Sequence, residues 1–243
     1  MSIRTTLLNC PIDLCDIDFA IEKSKQAVDS NQNLHIVTIN PEMIMNAQSN
    51  KEFFQIINSS ELNIVDGVGV KIGLKFKKIN QNQIRGVDFS RRLIKLASEN
   101  NYRVGFLGAK EEVIQKAKEN FLNEYPNLNF TYTRNGYFQN DEEIIEEIKN
   151  VSPQIMLIGL GSPKQEEFIF KLKQTLNGCV FVGVGGSFDV FSGIVKESPL
   201  IFQKLGLEWL YRTISQPERF KRIFPTLPIF LIKCIISSIQ KKG

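Results

Sequence analysis

Asp66 follows the apolar run Leu62–Val65 and precedes two glycines at a spacing of two, in the segment Asn63–Val70 (NIVDGVGV). A carboxylate at the end of a buried strand, beside backbone that glycine lets a ligand approach, is where a general base could sit. A turn aspartate next to a flexible glycine has the same pattern. In Thr38–Met43 (TINPEM) a strand ends in Thr38 and Asn40, and Pro41 opens a helix. The hydroxyl and amide face the usual ligand crevice, and the helix N-terminus favours anions; capping by Asn40 alone explains the same residues. Gly159–Glu166 (GLGSPKQE) leaves backbone N–H groups for phosphate or sugar oxygens, with Gln165 on the first helical turn able to bond a polar ligand. A tight strand–helix turn is the plainer use of that segment. Gly183–Gly193 (GVGGSFDVFSG) packs four glycines and Asp189 into eleven residues. That density suits a nucleotide: backbone at Gly185 and Gly186 against a diphosphate, and the Asp189 carboxylate on ribose hydroxyls or base.

Neither glycine loop is a dinucleotide fingerprint, because Lys164 and Phe188 stand where the third glycine belongs. No G-K-[ST] follows either, so a P-loop is excluded, and a nicotinamide oxidoreductase is disfavoured on both counts. The only histidine is His35, and Cys10, Cys15, Cys179 and Cys234 form no C-x-x-C pair. No zinc-ligand set with usual spacing can be assembled, and neither metal nor cofactor is expected. Cys179 reads as a small core residue, and the cysteine usage favours a reducing compartment.

Positioning these groups requires a β/α alternation, and the chain supplies one. His35–Asn40, Leu62–Asp66, Arg103–Leu107, Phe130–Thr133, Gln154–Gly159 and Cys179–Val184 read as strands, and several are continuously apolar, as strands covered on both faces are. Amphipathic stretches lie between them. Asp88 is expected to cap FSRRLIKLASEN, with Phe89, Leu93 and Leu96 or Ala97 on one face. Lys110–Tyr125 and Asp141–Asn150 read as further helices, and Pro163 suits the first turn of KQEEFIFKLKQTL. The expected fold is α/β: a Rossmann-like, mostly parallel sheet flanked by helices, with a C-terminal helical appendage. The expected division is an α/β core over 1–204 and a basic appendage over 205–243.

The formal net charge is +4, but it is unevenly spread. From Leu205 to Gly243 there are seven basic and two acidic residues, so the tail carries +5 and the rest −1. A basic terminus on a near-neutral body suggests an anionic partner such as a membrane surface, a diphosphate or nucleic acid. Arg212, Arg219 and Arg222 could hold phosphate bidentately, although a solvated face is the plainer use of such a run. Trp209, Tyr211 and Phe220 interleave with these charges in a way that would also suit stacking on bases. Ile223–Ile239 is short for a membrane span and contains Lys233 and two prolines. Leu231, Ile232, Ile235, Ile236 and Ile239 cluster opposite Lys233, Ser237, Gln240 and Lys241, as in an interfacial helix; a terminal helix docked on the protein's own core or on a second subunit has the same pattern. Met1–Pro11 lacks a long apolar core, so no secretory signal is expected.

In their order along the chain, TINPEM, NIVDGVGV, RGVDF (Arg85–Phe89), FLGAK (Phe106–Lys110), IGLGSPKQE, GVGGSFDVFSG and LEWLYRTISQPERFKR (Leu207–Arg222) resemble the WecG/TagA/CpsF family of bacterial glycosyltransferases. The resemblance covers roughly Thr38 to Arg222. It implies inverting, metal-independent transfer from a UDP-sugar to a lipid-diphosphate-linked acceptor. The best-known members move N-acetylmannosamine onto N-acetylglucosamine-diphospho-undecaprenol in wall teichoic acid synthesis, and others move N-acetylmannosaminuronic acid or glucose. Asp66 matches the base and Thr38 a neighbour in the active site, with Arg85 and Gln165 on the ligand side. Asn40, Gly108, Gly185, Gly186 and Asp189 complete the expected substrate contacts, and Arg212, Arg219 and Arg222 match arginines that close over the site. The implied setting is cytoplasmic and peripheral on the inner face of the bacterial cell membrane, held by the C-terminal tail, with no nucleic-acid partner. Self-association that covers the tail stays open, as does a non-enzymatic membrane-binding module.

Overall fold

The computed structural model describes residues 3–215 and 220–240. Its centre is a sheet of order β1-β2-β4-β3-β8-β7-β5-β6, parallel throughout except for the β1–β2 pair. The six expected strands form within one residue of their expected bounds, as β3 (Leu34–Ile39), β4 (Leu62–Val65), β5 (Val104–Gly108), β6 (Phe130–Arg134), β7 (Ile155–Gly159) and β8 (Val180–Gly183). The central strands are largely apolar because both their faces are covered, whereas β6, at the sheet edge, is FTYTR and only half-buried. In β3, Leu34 and Ile36 face one core while Val37 and Ile39 face another, and in β7 Ile155 and Leu157 oppose Met156 and Ile158 in the same way.

Helices α1 (Ile17–Asp29), α5 (Gly86–Asn100), α6 (Glu111–Glu124) and the short α9 (Ser187–Phe191) cover the first face. The second is covered by α2 (Pro41–Ala47), α3 (Lys51–Ser59), α4 (Val68–Phe76), α7 (Asp141–Val151) and α8 (Lys164–Leu172). Two helix starts differ from expectation. Asp88 is not the cap of α5: Arg85 is, in an extended conformation, and Asp88 lies within the first turn, paired with Arg85. Pro163 caps α8 rather than sitting inside its first turn, and that helix ends at Leu172.

The hairpin of β1 (Ile3–Leu7) and β2 (Cys10–Leu14) was not expected. Leu8 and Asn9 turn it with both φ angles positive, the primed two-residue geometry, without the glycine that would have signalled it. Buried Asp13 bonds the hairpin to the sheet: Arg4 donates to its two oxygens at 2.9 and 2.7 Å, and the Asn63 N–H donates to Oδ2 at 2.7 Å. The register of the Asp66-bearing strand is thus tied to the N-terminal hairpin.

Beyond the sheet come α10 (Leu200–Leu205), α11 (Glu208–Ser215) and α12 (Phe220–Gln240). They add no strand, but α12 belongs to the body's packing. Phe230 and Cys234 are buried among Leu7, Val70 and Leu74, with Leu227 and Leu231 half-buried beside them. Phe224, Ile229, Ile232, Ile235, Ile236 and Ile239 stay exposed on the same helix. Docking on the core therefore holds for one face of this helix, and the other face carries an exposed apolar stripe. Among the described residues, no helix is long and apolar enough to cross a membrane.

Candidate active site

The carboxyl ends of β4, β3, β8 and β7 open into one cleft of about 690 Å³. Thr38, Asn40, Asp66, Arg85, Gln165, Gly185 and Gly186, named from sequence, all line it. Parallel strands deliver their end residues to one rim, which is why segments far apart in sequence converge there. Asp66 leaves β4 with its N–H donating to the Ile39 carbonyl at 2.9 Å, and Gly67 turns the chain at φ +80° to start α4. The Ile84 N–H donates to the Val65 carbonyl at 2.7 Å, bringing the start of α5 against the same strand end. A Cβ placed on Gly86 would lie 3.5 Å from both Asp66 Oδ2 and Thr38 Cγ2, so both side chains abut that helix start. Thr38 Oγ1 donates to the Gly183 carbonyl at 3.4 Å, which links β3 to the β8 loop. Asn40 caps α2, accepting from the Met43 N–H at 3.1 Å, while also lining the cleft.

The β7 and β8 loops are joined by two buried side chains. The Gly185 N–H donates to Gln165 Oε1 at 3.0 Å, and Gln165 Nε2 donates to Glu166 Oε1 at 2.7 Å. A Cβ on Gly183 would come within 2.5 Å of Gln165 Nε2 and 2.9 Å of Glu166 Oε1, so a side chain there would displace this bridge. Glu166 is 1% exposed, and its Oε2 has no hydrogen-bond partner. Burial pushes its carboxyl up to about 7, against the opposing pull of bonds from Gln165 and Ser162. A group that changes charge near neutrality thus lies directly under the cleft wall. Glu166 stands beside Gln165 in the GLGSPKQE segment, and its burial, which the sequence does not show, sets it apart.

Arg85 lines the cleft with its guanidinium already held by the protein's own side chains. Its guanidinium donates to Glu208 (2.9 Å), Glu197 (2.7 Å), Gln203 (2.8 Å) and both oxygens of Asp88 (3.1 and 3.0 Å). Burial works against its charge, but the surrounding carboxylates, Glu197 first, hold its pKa above the ordinary value. Gly108 and Asp189 are not among the cleft's lining residues. Gly108 ends β5 packed on Gly159, at φ +131°, and Asp189 lies in α9 beyond the loop. Arg219 lies outside the described residues, as do the side chains of Arg212 on α11 and Arg222 on α12. Gln83, Glu208, Trp209, Thr226 and Leu227 also line the cleft and were not foreseen as wall residues. Among the described residues, no group of three or more His, Cys, Asp or Glu is placed to hold a metal ion.

A carboxylate at the rim, a hydroxyl beside it, and a glycine loop pinned across the cleft can accept a proton and cradle an anion. Comparison with known proteins identifies the chain's relatives. The Glycosyl transferase WecG/TagA/CpsF family profile matches residues 5–243. A relative from Staphylococcus aureus (strain MW2), named N-acetylglucosaminyldiphosphoundecaprenol N-acetyl-beta-D-mannosaminyltransferase, is 33% identical over 96% of this chain and 95% of its own length. The same-named proteins of strains NCTC 8325 / PS 47 and MRSA252 are 33% and 32% identical over the same shares.

Proposed function

Since the chain belongs to the WecG/TagA/CpsF family of glycosyltransferases, we propose that it transfers N-acetylmannosamine from a UDP-sugar to N-acetylglucosamine on a polyprenyl diphosphate, in surface-polymer synthesis. The observation that carries this reading is Asp66 on the same cleft as the Gly183–Ser187 turn. Asp66 takes the proton of the acceptor hydroxyl as its oxygen attacks the anomeric carbon. The bond from that carbon to the UDP oxygen breaks from the opposite side, so the configuration inverts, and UDP leaves with the bonding electrons. The leaving diphosphate is stabilised by backbone N–H groups of the glycine loop and by cationic residues of the C-terminal segment. Losing one such donor typically costs about 10²–10³ in rate. No metal is needed in this scheme, and turnover should survive a chelator.

The acceptor is lipid-linked, so the enzyme works at a membrane surface, peripheral on the inner face. The outward stripe of α12 supports this, because Thr226 and Leu227 of the same helix line the cleft. A lipid surface meeting that stripe lies next to the site's entrance. Each basic residue near an anionic surface adds about 1 kcal/mol. The test is a panel of UDP-sugars with a short-chain N-acetylglucosamine lipid-diphosphate acceptor, read by product mass. A product one N-acetylhexosamine heavier, formed only from UDP-N-acetylmannosamine, is expected. Another donor preference would correct the sugar, and no product from any donor would overturn the transferase reading.

A further inference from the structure

We propose that Arg85 is the anchor by which the body of the protein holds the segment carrying α10 and α11 against the cleft, and that Glu208 and Glu197 are positioning residues acting through it. The inference rests on the transferase reading above. The family resemblance puts Arg85 among the ligand-side groups, and its hydrogen bonds leave it little capacity for that. A guanidinium has five N–H groups. Four are committed: Nε to Glu208, the two on Nη1 to Asp88 and Gln203, and one on Nη2 to Glu197. Holding a diphosphate in the fork takes two parallel N–H groups, and only one is left.

The partners divide by origin. Arg85 and Asp88 belong to the start of α5, on the body, whereas Glu197, Gln203 and Glu208 all come from the chain beyond α9. Further bonds cross the same seam. Arg91 of α5 donates to Glu197 Oε2 at 2.7 Å, and Gln83 Nε2 reaches Glu208 Oε1 at 3.4 Å. Gln203 in turn donates to the Ser198 carbonyl at 2.6 Å, which ties α10 to the segment bearing Glu197. Three carboxylates against Arg85 and Arg91 make this an acidic cluster, a poor receptor for a phosphate but a good clamp on an arginine. The side chains of Arg85, Glu208 and Glu197 are 15%, 21% and 28% exposed, so water screens the pairs only partly. What the clamp positions is the cleft wall. Glu208 and its neighbour Trp209 both line it, at the start of α11.

Hydrogen exchange on the full chain reads the clamp without any turnover. Arg85→Ala and Glu208→Gln should each speed amide exchange over residues 200–215, and the double variant should go no faster than Arg85→Ala. Unchanged exchange in Arg85→Ala overturns the proposal, whatever the enzyme's substrate. In steady-state kinetics with the acceptor, Glu208→Gln should lower kcat/KM on the order of tenfold and Arg85→Ala 10- to 100-fold. The two effects should not multiply in the double variant. Multiplying effects would mean that Arg85 touches substrate on its own account, and would overturn the proposal. Arg85→Lys, which keeps the charge but not the fork, should fall between wild type and Arg85→Ala in both assays. Loss of product formation from the wild type itself would count against the transferase reading and leave the exchange result to decide the clamp.

Discussion

Glu166→Gln should remove a pH dependence of stability that the native chain carries. The Glu166 carboxyl is buried beneath the Gly183–Gly185 loop and titrates at about 7, against an ordinary value of 4.5. The folded state therefore holds this proton more tightly than the unfolded chain does. The resulting stability is fully present below about pH 4.5, falls as pH rises, and is lost above about pH 7. Two and a half pH units at about 1.4 kcal/mol each put the loss near 3 kcal/mol, to within about 1–2 kcal/mol. Glutamine cannot ionise and can still accept the Gln165 Nε2 bond through its own carbonyl oxygen. Its amide N–H groups meet a site where Oε2 had no partner, a cost of about 1–3 kcal/mol at any pH. Urea unfolding of both proteins at pH 5, 6, 7 and 8 measures the difference. The variant should be the less stable at pH 5 and should gain on wild type by about 2.5 kcal/mol by pH 8. Parallel curves across that range would show that Glu166 does not titrate there and would refute the reasoning.

Gly183→Ala should lower kcat/KM on the order of 10- to 100-fold while the chain still folds. Its Cβ would push aside the Gln165 amide and the Glu166 carboxylate that pin the loop, with an overpacking cost of about 1–3 kcal/mol in denaturant. Phe230→Ala should cost about 3–5 kcal/mol in the same unfolding assay, because the ring is fully buried against the body. A cost below about 1 kcal/mol would mean that α12 contributes little to the fold. Ile232→Asp with Ile236→Asp, on the exposed stripe, should abolish co-sedimentation with anionic vesicles and leave thermal stability within a few degrees of wild type; retained sedimentation would move the membrane contact elsewhere.

The parallel sheet was legible because strands buried on both faces are largely apolar, and several such runs stand clear of their surroundings, while the edge strand Phe130–Arg134 is half-buried and alternates with threonine. The rim was legible for a related reason: Asn40, Asp66 and the two glycine loops are polar or glycine breaks after those runs, and Thr38 is a polar residue at the end of one. What the sequence hid depended on tertiary partners. Leu8–Asn9 gives no glycine signal for the first hairpin, whose place is set by Asp13 reaching Arg4 and Asn63. Arg85 reads as a ligand group in a motif, and only the fold brings Glu197, Gln203 and Glu208 onto it from more than a hundred residues away. Glu166 stands beside Gln165 in the sequence, and its burial, not its type, makes it titrate near neutrality. The last helix matched two descriptions because its apolar surface is wider than one face: one side packs on the body and the other is exposed.

The most direct test of the catalytic assignment is Asp66→Asn, assayed for both UDP binding by calorimetry and single-turnover product formation. UDP affinity should stay within a few-fold of wild type, while the transfer step slows by a factor on the order of 10²–10⁴, as expected on losing a general base. Transfer at a near-native rate with UDP bound normally would contradict the assignment of proton removal to Asp66.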